Sequence, residues 1–270
     1  ALIRLPPSKP TAEWWVPQGL SSPVPPGINL AMRAFIRSLY TFHPNLGNTA
    51  ARAVAVCRSL CSVLELGPDD SADLVWAAAL HDIALLQIDR NLVRRWLRDP
   101  EKCTELEITE IQKHAQGSQT VLRSFSYFRR AGEIIRSHHE SWDGSGYPDT
   151  LTGDSIPWLA RLVGVAVAYC AINAPSIHAM AQIEEQAGSR FDPDAITALS
   201  KAVPITVMPR GQQEILLIEL KPDMVLARDI FNANGFLLLP EGSIITQSSI
   251  IKLWGVNRAA PIDPFVLVYS

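Results

Sequence analysis

Across residues 28–203 the apolar side chains return at the spacing of a helix surface, segment after segment, and the pattern stops at Pro204. That periodicity confines the region to packed helices, because apolar residues at every third or fourth position are buried together only as helix faces. Ile28, Met32, Phe35, Ile36 and Leu39 open the series, and His43-Pro44 predicts a break. The spacing then predicts helices over 49–66, 72–85, 105–125 and 128–139. The 72–85 segment is apolar nearly all round and reads as buried, with Asp69-Asp70-Ser71 as its capping residues. An arginine-rich run over 91–98 predicts a helical turn on the surface, and segments 156–172, 177–187 and 194–203 complete the helical part.

After Pro204 the runs become short and branched or aliphatic, over 214–220, 224–231, 236–239 and 265–269, which predicts strands. Asn232-Ala233-Asn234-Gly235 is a hairpin signal, and a short helix is predicted near 248–253. The fold class is therefore mainly α, a helical bundle with a small, mostly β C-terminal module. Three parts are expected: a Pro-rich linker or arm over 1–27, a helical domain over 28–204 and the appendage over 205–270. The first part holds seven of the twenty prolines, and Trp14 and Trp15 would anchor it.

Composition narrows the function classes. Hydrophobic residues at 47% and charged ones at 19% suit a globular protein and argue against disorder. A formal charge of −3 gives no general attraction to nucleic acid. No run approaches the roughly 18 apolar residues of a membrane helix, so no membrane span is expected. The start lacks the basic-then-apolar layout of a signal peptide, and it lacks Met, so a fragment of a longer chain is expected, with room for a preceding regulatory domain. Cys57, Cys61, Cys103 and Cys170 form no Cys-x-x-Cys pair, which points to reduced thiols and a cytoplasmic location.

Chemistry concentrates at His138-His139, which end a helix-like run and lead into Asp143, Gly144, Gly146, Tyr147 and Pro148. Imidazole is a common transition-metal ligand, and the glycines let backbone approach a bound group closely. Upstream, His81-Asp82 lies in an apolar stretch, where a carboxylate is costly unless paired or bound to metal. With His114 these residues form a mixed nitrogen and oxygen donor set suited to Fe, Mn, Ni or Zn.

The order of these elements resembles a known family. His81-Asp82-Ile83, then His114 with Gly117, precede His138-His139-Glu140-x-Trp142-Asp143-Gly144-x-Gly146-Tyr147-Pro148-x-x-Leu151-x-Gly153-x-x-Ile156. Ala160-Arg161-Leu162 and Gly188-x-x-Phe191-Asp192-Pro193 follow. The pattern is similar to the HD-GYP family, a branch of the HD superfamily of metal-dependent phosphohydrolases, over roughly two thirds of the chain. The resemblance implies an all-helical domain that acts on the bacterial second messenger cyclic di-GMP with two or three metal ions. It implies that Asp82 is the central catalytic and metal-binding carboxylate, with His81, His114, His138 and His139 as further metal residues. It implies that Asp143, Gly144, Gly146, Tyr147 and Pro148 border the ligand groove and offer a docking surface for a diguanylate cyclase domain.

Departures from the family pattern fall on chemistry. Leu85 stands where the family has a phosphate-facing Lys, Val167 where it has a metal-binding Asp, and Cys170 where it has a second Asp. Asn48 aligns best with an expected ligand His. The expectation is one bound transition-metal ion at most, Fe or Mn, and a signalling domain with weak or lost hydrolysis. Such a domain would bind cyclic di-GMP or a related cyclic dinucleotide, or dock a partner. The alternative is an active phosphodiesterase whose unusual metal set recruits His43 or Glu140.

Overall fold

A computed structural model describes residues 25–172, 176–209 and 212–269. Ten helices precede the first strand among the described residues: α1 Pro26–Phe42, α2 Pro44–Val63, α3 Pro68–Leu80, α4 Arg90–Arg98 and α5 Glu105–Gln112. They continue as α6 His114–Leu122, α7 Arg129–Arg136, α8 Trp158–Ala171, α9 Ser176–Glu184 and α10 Pro193–Ala202. Residues 1–24 of the proline-rich start, with Trp14 and Trp15, lie outside the described residues, and its last residues, Pro26 and Gly27, already belong to α1.

Four of these helices, α1, α2, α3 and α10, begin with proline in the first turn. There the missing N–H costs nothing and the fixed φ already suits a helix. His43 stops α1 and caps α2, its Nδ1 accepting from the Asn45 N–H at 3.3 Å. The cap of α3 is Gly67 without a side-chain bond, so Asp69 and Asp70 lie inside the first turn and complement the helix dipole instead of capping it. The segment predicted as one helix over 105–125 is two, α5 and α6, broken at Lys113. The helix predicted over 72–85 ends at Leu80, and a 3-10 turn, Ile83–Gln87, follows the His81-Asp82 corner.

Helix α2 is the hub. Its buried face, including Ala50, Ala53, Val54, Cys57 and Leu60, packs on α1, α3, α8 and α10. Alanines at 77, 78 and 79 of α3 keep the side chains small where that helix is buried on all sides. One contiguous apolar core joins these helices from Met32 to Ala202.

The C-terminal region has its own small core, with Ile215, Leu226, Ile245, Leu253, Val266 and Val268. Strand β1 Gln212–Leu216 pairs antiparallel with β4 Phe265–Tyr269, and β2 Ile230–Phe231 pairs with β3 Leu237–Leu239. Helix α11 Gln247–Ala259 lies between them in sequence and is longer than predicted. The run predicted as a strand over 224–231 makes only isolated bridges before Ile230, Val225 with Ile244 and Leu226 with Val268.

Glu214 of β1 joins this region to the helices. Its carboxylate accepts two bonds from Arg94 at 2.9 and 3.3 Å and lies 3.4 Å from His43 Nε2, while its N–H donates to Asn45 Oδ1. Arg94 also covers the Phe265 ring at 3.9 Å. Burial works against the charge of Glu214, yet His43 and Arg94 together hold its carboxyl below the ordinary value. Glu214→Ala should therefore destabilise the protein by about 2 kcal/mol, the loss of hydrogen bonds to a charged acceptor. A urea-unfolding midpoint equal to that of the wild type would contradict this.

Candidate functional site

The helix ends set the site. His81 follows the last residue of α3, His114 opens α6 just past the end of α5, and His138 lies two residues past α7. Each ring is held the same way: Nδ1 of His81, His114 and His138 lies 2.9, 2.7 and 2.5 Å from the carbonyl three residues earlier, of Ala78, Ile111 and Ile135. A carbonyl oxygen only accepts, so each Nδ1 carries the proton and each Nε2 is turned inward. Asp82 lies beside two of them: His81 Nε2 donates to Oδ2 at 3.2 Å, while His114 Nε2 lies 3.5 Å from Oδ1 without a hydrogen bond.

His139 completes the group. Ligand atoms of His114, His138 and His139 all lie within 4.8 Å of one another. The His138 and His139 rings are 4.0 Å apart, and His81 lies 5.5 Å from His138. The structure thus brings together all five residues singled out in the sequence. His114 and His138 Nε2 are buried without any hydrogen-bond partner. Orphaned buried nitrogens are costly, and they converge beside a carboxylate; that is the arrangement of a metal-ligand set.

Charge in the cluster is arranged for a cation. Burial, and then the neighbouring histidines, push His138 down from 6.5 to about 3, and burial likewise lowers His114 and His139. These three rings stay neutral and keep a lone pair to offer. Burial opposes charge on His81 as well, but the adjoining Asp82 carboxylate outweighs it and raises His81. Asp82 is itself held well below the carboxylate range, since His81, His114 and His138 overcome its burial.

The loop that follows forms one wall. Tyr147 stacks on His139 at 4.7 Å with 19° between the rings, and its N–H donates to the His139 carbonyl. Asp143 turns the chain, its carboxylate accepting from Ser145 N and Oγ. Gly144 has φ +84°, and a Cβ on Gly146 would sit 2.2 Å from Ser141 N, so both positions require glycine. Pro148 follows a cis peptide bond.

Sequence reasoning missed the residues that hold this wall. Glu140 accepts from Asp149 N at 2.6 Å and Leu151 N at 3.0 Å, tying the loop to itself. Arg161 lies over Trp142 and Trp158 and donates to Asp192 at 2.8 Å, clamping the loop between α8 and the turn before α10. Ser118 donates to the His81 carbonyl and accepts from Ala84 N, fixing the His81-Asp82 corner against α6. A serine four residues after His114, on the same helix face, was the available signal for that link. With Glu140 bonded to the loop and His43 to Glu214, both residues of the alternative metal set are engaged elsewhere.

Comparison with known proteins bears on the family and the fold. The HD domain family matches residues 34–195. Over 143 residues the chain is 32% identical to the 3'3'-cGAMP-specific phosphodiesterase 3 of Vibrio cholerae, covering 49% of this chain and 30% of the relative. Over 166 residues it is 32% identical to the cyclic di-GMP phosphodiesterase response regulator RpfG of Xanthomonas campestris pv. campestris, covering 57% and 43%. The chain spans less than half the length of either relative. A crystal structure of a cyclic GMP-AMP specific phosphodiesterase from V. cholerae is similar in fold, with a TM-score of 0.51 at 16% identity over 64% of this chain and 48% of that one. No helix among the described residues is long and apolar enough to cross a membrane.

Two outcomes follow from the packing and the charges. A Cβ on Gly164 of α8 would meet the His138 carbonyl at 2.7 Å, so Gly164→Val should cost about 1–3 kcal/mol and lower metal uptake together. Full metal content at wild-type stability would refute the close approach. The second outcome concerns acid. Unfolded, His138 binds a proton near 6.5; folded, it does so only near 3. The unfolded state therefore holds more protons between those values, and stability falls as pH drops through them. His114 and His139 act in the same sense, and His81 opposes. The urea midpoint of chelator-treated protein should be lower at pH 5 than at pH 7, and His138→Gln should reduce that difference. A midpoint that rises on acidification would contradict the assignment of neutral rings.

Proposed function

The chain belongs to the HD domain family, and on that premise we propose that it is a cyclic di-GMP signalling domain of the HD-GYP phosphodiesterase lineage whose hydrolysis is weak or lost. One observation carries this reading: the buried, unpartnered Nε2 atoms of His114 and His138 converge with His139 and Asp82 under the Tyr147 loop. Imidazole with one carboxylate suits a single Fe or Mn ion, held by His114, His138, His139 and Asp82 with His81 behind Asp82. Such an ion supplies Lewis acidity and positive charge toward a phosphodiester.

The chain's own residues explain why turnover is low. Among the described residues Asp82 is the only carboxylate in the cluster, too little negative charge to balance two divalent ions. At the position of the family's metal-binding Asp, Val167 packs half-buried on the helical core. Leu85 is fully buried, so no cation from that position neutralises a phosphate. Binding is the function that remains. Cyclic di-GMP or a related cyclic dinucleotide would lie against the Tyr147 loop, whose exposed Asp143 and Ser145 would also meet a partner such as a diguanylate cyclase domain.

Metal analysis alongside a turnover assay tests the reading. Protein purified without chelator should carry no more than one Fe or Mn per chain, and Asp82→Ala or His138→Ala should remove it. Calorimetry should show cyclic di-GMP binding while hydrolysis stays at background. Two ions per chain together with robust hydrolysis that Asp82→Ala abolishes would replace this reading with that of a working phosphodiesterase.

A further inference from the structure

The turn between α9 and α10 carries an arginine to the edge of the histidine cluster. Gly188, at φ +74°, closes that turn with an N–H bond to the Phe191 carbonyl at 2.9 Å. The carbonyls of Ser189 and Arg190 accept from Asp143 and Trp142 N–H at 2.8 and 3.1 Å, so the turn is bonded directly to the loop whose Tyr147 stacks on His139. Arg190 also lines a small cavity together with His138 of the cluster and Glu140 and Trp142 of the loop.

Arg190 differs from the other arginines that touch this loop. Arg136 is paired with Asp149 at 2.6 Å, and Arg161 with Asp192 at 2.8 Å and Asp154 at 3.1 Å. Arg190 makes no ion pair with a carboxylate among the described residues. Its guanidinium lies 4.9 Å from the centre of the Phe191 ring and donates one long bond, to Gln186 Oε1 at 3.4 Å. Burial lowers the guanidinium from its ordinary value, with Tyr147 opposing, while the residue keeps an exposed surface. A charge drawn partly out of water without a counter-charge is costly until an anion meets it. That charge also reaches the site. Burial and the three other histidines lower His139, and Arg190 adds to them; burial and Asp82 raise Tyr147, and Arg190 opposes them.

Leu85, fully buried, leaves the His81-Asp82 corner without a cation of its own. A guanidinium stays charged at every working pH, and its fork of donors matches two oxygens of a phosphodiester. We propose that Arg190 is the contact for the ligand's phosphate at the histidine cluster, supplying from the turn before α10 the positive charge that position 85 lacks. The inference rests on the nucleotide-binding reading above and names a residue that carries it. It also gives the turn two tasks, since the backbone of Arg190 holds the loop while its side chain meets the anion.

Calorimetry on the full chain, purified without chelator, tests it with cyclic di-GMP and inorganic phosphate as probes. Arg190→Gln removes the charge and keeps the backbone bonds of the turn; Arg190→Lys keeps a charge and loses the fork. Arg190→Gln should weaken both probes by at least about tenfold, and Arg190→Lys should fall between it and the wild type. Metal content and the urea midpoint should stay at the wild-type level in both. Added salt should weaken binding less steeply in Arg190→Gln than in the wild type, because one screened charge is gone. Cyclic di-GMP binding that Arg190→Gln leaves unchanged would overturn the contact and leave the signalling reading standing. Affinity lost in both variants along with metal or stability would mark a structural role and overturn the contact too. Phosphate binding that depends on Arg190, without cyclic di-GMP binding, would keep the contact and remove the cyclic di-GMP reading. A wild-type protein that binds neither probe would overturn both.

Discussion

Three backbone carbonyls govern the site. Those of Ala78, Ile111 and Ile135 each take the Nδ1 proton of the histidine three residues on, and in doing so turn three Nε2 atoms toward one volume. Each belongs to the last turn of a helix, α3, α5 or α7, where the regular ladder runs out and a carbonyl can take a side-chain donor. The same ends carry the negative pole of the helix dipole, so three of them directed at one volume favour a cation there. The break at Lys113 now has a reason. A continuous helix over 105–125 would have committed the Ile111 carbonyl to the ladder and left His114 without its orienting partner.

The wall opposite the cluster depends on a different kind of constraint. Gly144 and Gly146 have no side chains with which to pack, so the turn between Trp142 and Tyr147 takes its shape from bonds to its backbone. Glu140 supplies two from within, and the backbone of the following turn supplies two more, Trp142 N–H to the Arg190 carbonyl and Asp143 N–H to that of Ser189. Arg161, held between two tryptophans and bonded to buried Asp192, keeps that turn in place. Tyr147 can then stack on His139 as a fixed surface.

How much of this was legible follows from what periodicity encodes. Spacing of apolar residues reports which face of a segment is buried, so the helical part and its core positions, such as Met32, Ile36, Cys57 and Leu60, were readable. The histidines and the loop were readable as a motif because their types and order are unusual. Spacing does not report where a helix stops, since an end is decided by partners distant in sequence. The end of α3 at Leu80 is fixed by Ser118, and His43 is bound by Glu214, neither of which local sequence reveals. The β region was harder still: strands of two to five residues leave too little alternation to separate pairing from isolated bridges.

Position 43 shows how a local cap and a distant contact act together. Its imidazole is buried beside Pro44, at the leading end of the helix that packs on α3 and α8. Its Nδ1 accepts from the Asn45 N–H, and its Nε2 faces a carboxylate from the C-terminal module. The same carboxylate draws in Arg94, which in turn covers Phe265 of the last strand. The leading end of α2, the buried helices and the terminal sheet are thus joined through one acidic side chain.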